Sequence, residues 1–165
     1  MGNKIELKPI GYVRRASKRE NVRDRNLISE IVIRKALTKA LEGIEEFSHV
    51  FVLFYLHEVS PKETKTLKVH PRGRMDMPLV GLYATRTALR PNPIGLAVVE
   101  LLRRKENVLV TRGLDAFNGT PVLDLKPYDN WDAITNIHVP EWRKQLELEA
   151  ASQKHDLKQD AKHML

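Results

Sequence analysis

Apolar positions change period several times along this chain. Between residues 5 and 14, apolar side chains fall at Ile5, Leu7, Ile10, Tyr12 and Val13, with a break at Pro9–Gly11, which predicts a strand. Glu30 to Ile33 predicts a short second one. Over residues 34–42 the period switches: Leu37, Ala40, Leu41 and Ile44 take helical spacing, and Gly43 stands where a C-cap belongs. Ser48 to His57 is almost wholly apolar and rich in β-branched and aromatic residues, which predicts a central strand buried on both faces. Residues 58–78 are polar and basic and read as a long loop. Leu79–Thr85, Ile94–Leu102 and Asn107–Leu114 predict three further strands, and Pro121–Leu125 a short one. Beyond Pro140 the period is helical again, with Val139, Trp142, Leu146, Ala150, Leu157 and Ala161 on one stripe.

Strands that follow one another without intervening helices exclude a doubly wound sheet. The expected fold is mostly β, in the α+β class: a small antiparallel β-barrel with one short helix and a C-terminal helix. The barrel domain is expected over residues 1–139, and a helix or partly disordered tail over 140–165.

Composition narrows the chemistry. At 165 residues and 42% hydrophobic, the chain can bury one core. It has no Cys, which excludes a disulfide scaffold, a Cys nucleophile and a Cys-ligated metal. Neither a signal peptide nor an apolar run near the roughly 20 residues of a membrane span is present, so a cytoplasmic protein is expected. The formal charge is +7. Residues 141–165 hold five basic and five acidic side chains, so the first 140 carry all of the excess. It clusters between Arg14 and Arg25, and between Lys62 and Arg74. Such clusters suit a phosphate-rich partner, or are simply solvated loops.

Several common sites are missing. No G-x-G, Gly–Lys P-loop or G-x-S-x-G elbow occurs. The six histidines, His49, His57, His70, His138, His155 and His163, show no metal-ligand spacing, and no metal is expected. Two stretches carry information instead. In Leu82–Leu96, prolines at 91 and 93 stiffen the turn around Asn92. Arg86 and Arg90 beside it can pair a carboxylate or a phosphate. In Leu114–Tyr128, Asn118-Gly119 signals a tight turn flanked by Asp115 and Asp124. Asp115 can accept from an amine or a ribose there, or simply cap the turn.

Taken together, A-T-R-x-x-x-R-P-N-P-I-G-L and L-D-x-x-x-G-T-P-V-L-D-x-K-P-Y resemble the TsaA/TrmO family of tRNA methyltransferases. Ile10–Arg14 and Leu41–His49 are similar to it as well, so the resemblance spans roughly residues 5–130. It implies a small β-barrel that works as a homodimer and binds S-adenosylmethionine near the subunit interface. It implies methyl transfer to N6 of threonylcarbamoyladenosine at position 37 of tRNA. The implied cofactor contacts fall on Arg25, Asn26, Leu27, His57, Glu58, Arg86, Leu96, Asp115, Ala116, Phe117 and Asn118. Where relatives carry P-R-Q, this chain reads Arg23-Asp24-Arg25-Asn26. His57 or Asp115 would take the N6 proton. An arginine, Arg86 or Arg90, would pair the substrate carboxylate, and Asn92 lies in the same substrate loop. Lys65, Lys68 and Arg72, with the 14–25 stretch, would hold anticodon stem-loop phosphates, and Phe117, Tyr128 and Trp131 are the candidate base stackers. Two other readings fit the same residues: a non-catalytic cofactor- or RNA-binding module, and a small-molecule methyltransferase.

Overall fold

A computed structural model describes residues 5–15, 24–60 and 65–163, with side chains to residue 152. Lys18, Arg19 and Arg23 of the first basic stretch, and Lys62 of the second, lie outside the described residues. The described residues form eight strands: β1 (Gly11–Arg14), β2 (Ile28–Ile33), β3 (His49–Tyr55), β4 (Lys68–Val69), β5 (Val80–Gly81), β6 (Ile94–Lys105), β7 (Val108–Arg112) and β8 (Pro121–Pro127). One long helix, α1 (Glu141–His163), follows. Six strands close into an antiparallel barrel in the order β1-β2-β7-β6-β3-β8, and β4 and β5 pair apart from it.

Period-two alternation builds the core. Val13, Ile31, Ile33, Val50, Val52, Phe54, Val99, Leu109 and Val122 all point inward. The Phe54 ring covers Gly95 so closely that a Cβ there would sit 2.8 Å from its Cδ2. Position 95, the second of β6, therefore takes glycine because its partner across the barrel, Phe54, leaves no room for a methyl group.

The structure departs from the expected elements in four places. Residues 5–10 are not strand; Pro9, which has no N–H, delays β1 to Gly11. Residues 34–42 form a 3-10 helix (Lys35–Leu41), followed by a 3-10 turn at Ile44–Glu46. Arg104 donates to the carbonyls of Leu41 and Thr38 at 3.1 and 3.5 Å and meets Glu45 at 3.1 Å, which satisfies that helix end from outside. The strand expected at 79–85 shrinks to β5 and a 3-10 turn at Leu82–Ala84. Finally, β3 is buried on one face only. Phe51 and Leu53 on its outer face stay half-buried and Tyr55 exposed, with Tyr128 against Phe51. Among the described residues no helix is long and apolar enough to cross a membrane.

Candidate active site at the barrel mouth

Strand pairing puts the ends of β1, β3 and β7 and the starts of β2, β6 and β8 at one mouth. Arg14 faces Glu30, Ile28 faces Arg112, Tyr55 faces Ile94 and Tyr12 faces Pro121. The three connections that open there span residues 15–27, 56–93 and 113–120. The candidate cofactor and catalytic residues, with Arg90 and Asn92, fall within them, or on the adjoining start of β6.

In the closed ring β7 and β8 stand across from one another. Their connection must therefore cross the mouth. Leu114 and Ala116 turn down into the core, while Asp115 and Asn118 are exposed and Phe117 is half-buried. Gly119 donates to Val13 O at 2.8 Å and takes φ 80, and Thr120 donates to Phe117 O at 3.2 Å, which closes the Asn-Gly turn.

Arg15 holds this crossing loop from below. Only 8% exposed, its Nη1 donates to Leu114 O at 2.9 Å and Ala116 O at 3.3 Å. Its backbone N–H donates to Asn118 Oδ1 at 2.9 Å, so that Asn118 oxygen is engaged within the protein. Burial pushes the guanidinium pKa down, while Asp24 and Asp115 act against the shift. Sequence reasoning placed Arg15 in a phosphate-gripping loop; the structure makes it internal. The signal was present, because Gly11 and Val13 point inward and period two makes 15 the next inward position.

The neighbouring segments follow. Asp24–Leu27 forms a turn in which Asp24 Oδ1 accepts from Asn26 N–H at 2.9 Å. Gly113, at φ 90, donates to Leu27 O at 3.2 Å, which sets this turn against the crossing loop. His57 follows β3, with Nδ1 3.4 Å from Thr120 Oγ1 and Nε2 3.9 Å from Glu58. Leu56 donates to Pro93 O at 2.7 Å, so the Pro-Asn-Pro turn docks on the end of β3.

Leu96 has a distinctive setting. Residues 94–99 of β6 pair with β3, but pairing with β7 begins only at Glu100. Leu101 N–H donates to Ser48 O, so odd-numbered residues of β6 bond toward β3. The amide and carbonyl of Leu96 face the other way and lack a strand partner among the described residues. Ser29 Oγ of β2 is buried and has no hydrogen-bond partner among them.

The two motif arginines differ. Arg90 Nη1 donates to Thr85 O at 2.9 Å, and its guanidinium lies 5.4 Å from the Tyr83 ring centre. It staples its own loop. Arg86 is exposed and has no hydrogen-bond or ion-pair partner among the described residues. Lys65, Lys68 and Arg72 are exposed. By contrast, Arg14 pairs with Glu30 at 2.6 Å, and Arg74 with Asp76 and Glu149. Of the candidate stackers only Phe117 lies at the mouth. Tyr128 packs edge-on against Phe51 at 5.3 Å, and Trp131, 94% exposed, follows the far end of β8. That far end also carries an apolar groove of about 570 Å³ beside the 3-10 helix, which takes Asp124, Leu125 and Pro127 from the end of the second motif but none of the candidate cofactor contacts.

The fold and its mouth define a class: a closed antiparallel barrel that carries its polar groups on loops crossing one end. The chain belongs to the tRNA-methyltransferase O N-terminal domain family, whose model matches residues 14–132. It is 43% identical over 129 residues to a probable S-adenosyl-L-methionine-binding protein of Methanothermobacter thermautotrophicus, covering 75% of this chain and 90% of that protein. It is 38% identical over 112 residues to the tRNA (adenine(37)-N6)-methyltransferase of Mus musculus, covering 67% of this chain but 26% of that protein. The crystal structure of TrmO from Pseudomonas aeruginosa superposes with a TM-score of 0.65 at 30% identity, covering 82% of this chain. The present chain spans 62% of the length of that solved chain.

Proposed function

We propose that this protein is an S-adenosylmethionine-dependent tRNA methyltransferase acting on N6 of threonylcarbamoyladenosine at position 37. The carrying observation is the convergence of 24–27, 56–58, 86–96 and 113–120 on one barrel mouth. The groups there suit the cofactor. The open edge of Leu96 offers a backbone donor and acceptor to an adenine, and exposed Asp115 offers a carboxylate to an amine or ribose. When bound, S-adenosylmethionine supplies a methyl group already activated on a sulfonium.

The residues of the chain then have defined tasks. The loops hold the accepting nitrogen in line with the methyl carbon, where orientation is worth several kcal/mol. Arg86, the arginine with an open guanidinium, pairs the substrate carboxylate. His57, set beside Thr120, takes the N6 proton, with Asp115 as the other candidate base. Lys65, Lys68 and Arg72 hold anticodon stem-loop phosphates.

A second copy completes the assembly in this reading, which places the enzyme in the cytoplasm with its tRNA. Phe51, Leu53 and Tyr55 on the outer face of β3 lie in register with Val98, Leu96 and Ile94 of β6. All three β6 residues are exposed. This uncovered apolar strip reaches the cofactor position at Leu96, and a homodimer would cover it.

The deciding experiment incubates the protein with labelled S-adenosylmethionine and tRNA that carries or lacks the threonylcarbamoyl group, followed by nucleoside analysis. Label in modified tRNA alone supports the proposal. Cofactor binding without transfer would leave a non-catalytic binding module. Transfer only to small molecules would leave a small-molecule methyltransferase.

A further inference from the structure

The helix α1 begins beyond the stretch that matches the family, and nothing in the mouth explains it. Among residues 141–152, only Trp142, Leu146, Glu149 and Ala150 escape full exposure. Their spacing of four, three and one is a single helical stripe. Leu146 is 1% exposed, yet it is not part of the barrel core. Glu149, on the same stripe, meets Arg74 through both carboxylate oxygens and also accepts from Gln145 Nε2 at 3.1 Å. Arg74 in turn donates to Asp76, with Nε 3.0 Å from Oδ1.

Arg74 sits in the excursion between β3 and β6. That excursion holds the two-stranded β4–β5 ribbon, tied by Leu82 N–H to Leu67 O at 2.9 Å. Just before Arg74, Arg72 takes φ 58 and Gly73 φ 70. A non-glycine residue in that region persists when its surroundings hold it there. The turn at 71–73 is clamped on one side by Arg74 and on the other by His70 Nδ1, 2.7 Å from Met77 O. Met77 is itself buried, outside the barrel core. The Arg74–Glu149 pair thus ties α1 to the excursion that presents Lys65, Lys68 and Arg72.

We propose that α1 is a positioning element for the nucleic-acid surface: through Glu149 and Leu146 it braces the 65–77 excursion so that Lys65, Lys68 and Arg72 present a fixed phosphate-binding edge. This rests on the tRNA reading above. The cofactor side is independent of the brace. Its segments at 24–27, 56–58 and 113–120 adjoin the ends of barrel strands, and the loop bearing Arg86 is stapled separately by Arg90.

The test uses the full chain with Glu149→Gln and Leu146→Ala. Hydrogen exchange should speed up at the amides of 65–82, by about threefold for Glu149→Gln and about tenfold or more for Leu146→Ala. Barrel amides should stay at the wild-type rate. KM for tRNA should rise about threefold and tenfold in step, with kcat and the S-adenosylmethionine dissociation constant within about twofold. Unchanged exchange at 65–82 in both variants overturns the proposal. So does faster exchange with an unmoved KM for tRNA, or tRNA and cofactor affinities falling together. A wild-type protein inactive on every tRNA refutes the function reading instead, while the exchange measurement, which uses no RNA, still decides whether α1 braces the excursion.

Discussion

Replacing Arg15 by Met tests whether the crossing loop is held from within. The side chain is buried and donates to Leu114 O at 2.9 Å and to Ala116 O at 3.3 Å. Charge-assisted hydrogen bonds are worth about 1.5–3 kcal/mol each, with the longer one at the weak end. Met keeps the length but leaves both carbonyls without that donor. Part of the loss is offset because a guanidinium no longer has to be desolvated, the same effect that pushes its pKa down. The expected net loss is about 3 kcal/mol, or roughly 6–12 °C in Tm for a domain of this size. Native domains have about 5–15 kcal/mol in hand, so the variant should remain folded at 20 °C. Urea denaturation followed by circular dichroism measures the loss, with an unchanged m-value as the control. Calorimetry at 20 °C should show weaker S-adenosylmethionine binding, because Asp115 rides on the loosened loop. Arg15→Lys keeps the charge without the planar fork and should fall between the two. A Met variant within about 0.5 kcal/mol of wild type would refute the reasoning.

Four further outcomes are expected. Arg86→Ala should leave stability within about 0.5 kcal/mol but lose about 1.5–3 kcal/mol in turnover; full methylation by the variant would remove Arg86 from the site. Gly95→Ala should cost about 1–3 kcal/mol by driving a methyl group into the Phe54 ring, measured by chemical denaturation. Replacing Lys65, Lys68 and Arg72 together by Ala should lower the slope of log K for tRNA against log salt by about two units, with cofactor affinity unchanged. Hydrogen bonds from Arg74 hold the Asp76 and Glu149 carboxyls below the ordinary carboxylate range. Depressed folded-state values add stability above the unfolded pKa that is lost as pH falls through the folded one, so α1 should undock on acidification. Trp142 fluorescence in a Trp131→Phe background would follow it, and Glu149→Gln should flatten the dependence.

The antiparallel barrel was legible because runs of β-branched and apolar residues mark single strands and few helical stretches separate them. Which face of Ser48–His57 turns inward was not, because that run is apolar throughout and only barrel closure selects Val50, Val52 and Phe54. The turns at Pro91–Pro93 and Asn118-Gly119 were legible, since proline and glycine act on their own residue's torsions. The motif residues were legible as two separate segments. Their meeting was not, because only strand order places β7 opposite β8 and sends Leu114–Asn118 across the mouth. Charge was the poorest guide. Arg14, Arg15 and Arg74 read as phosphate ligands, yet each has a partner within the protein: Arg14, still exposed, pairs with Glu30 across β1 and β2, Arg15 is buried against loop carbonyls about 100 residues away, and Arg74 pairs with Glu149 of α1. Composition counts an arginine as a free cation, and only a tertiary partner far along the chain decides whether its charge faces water or is used inside.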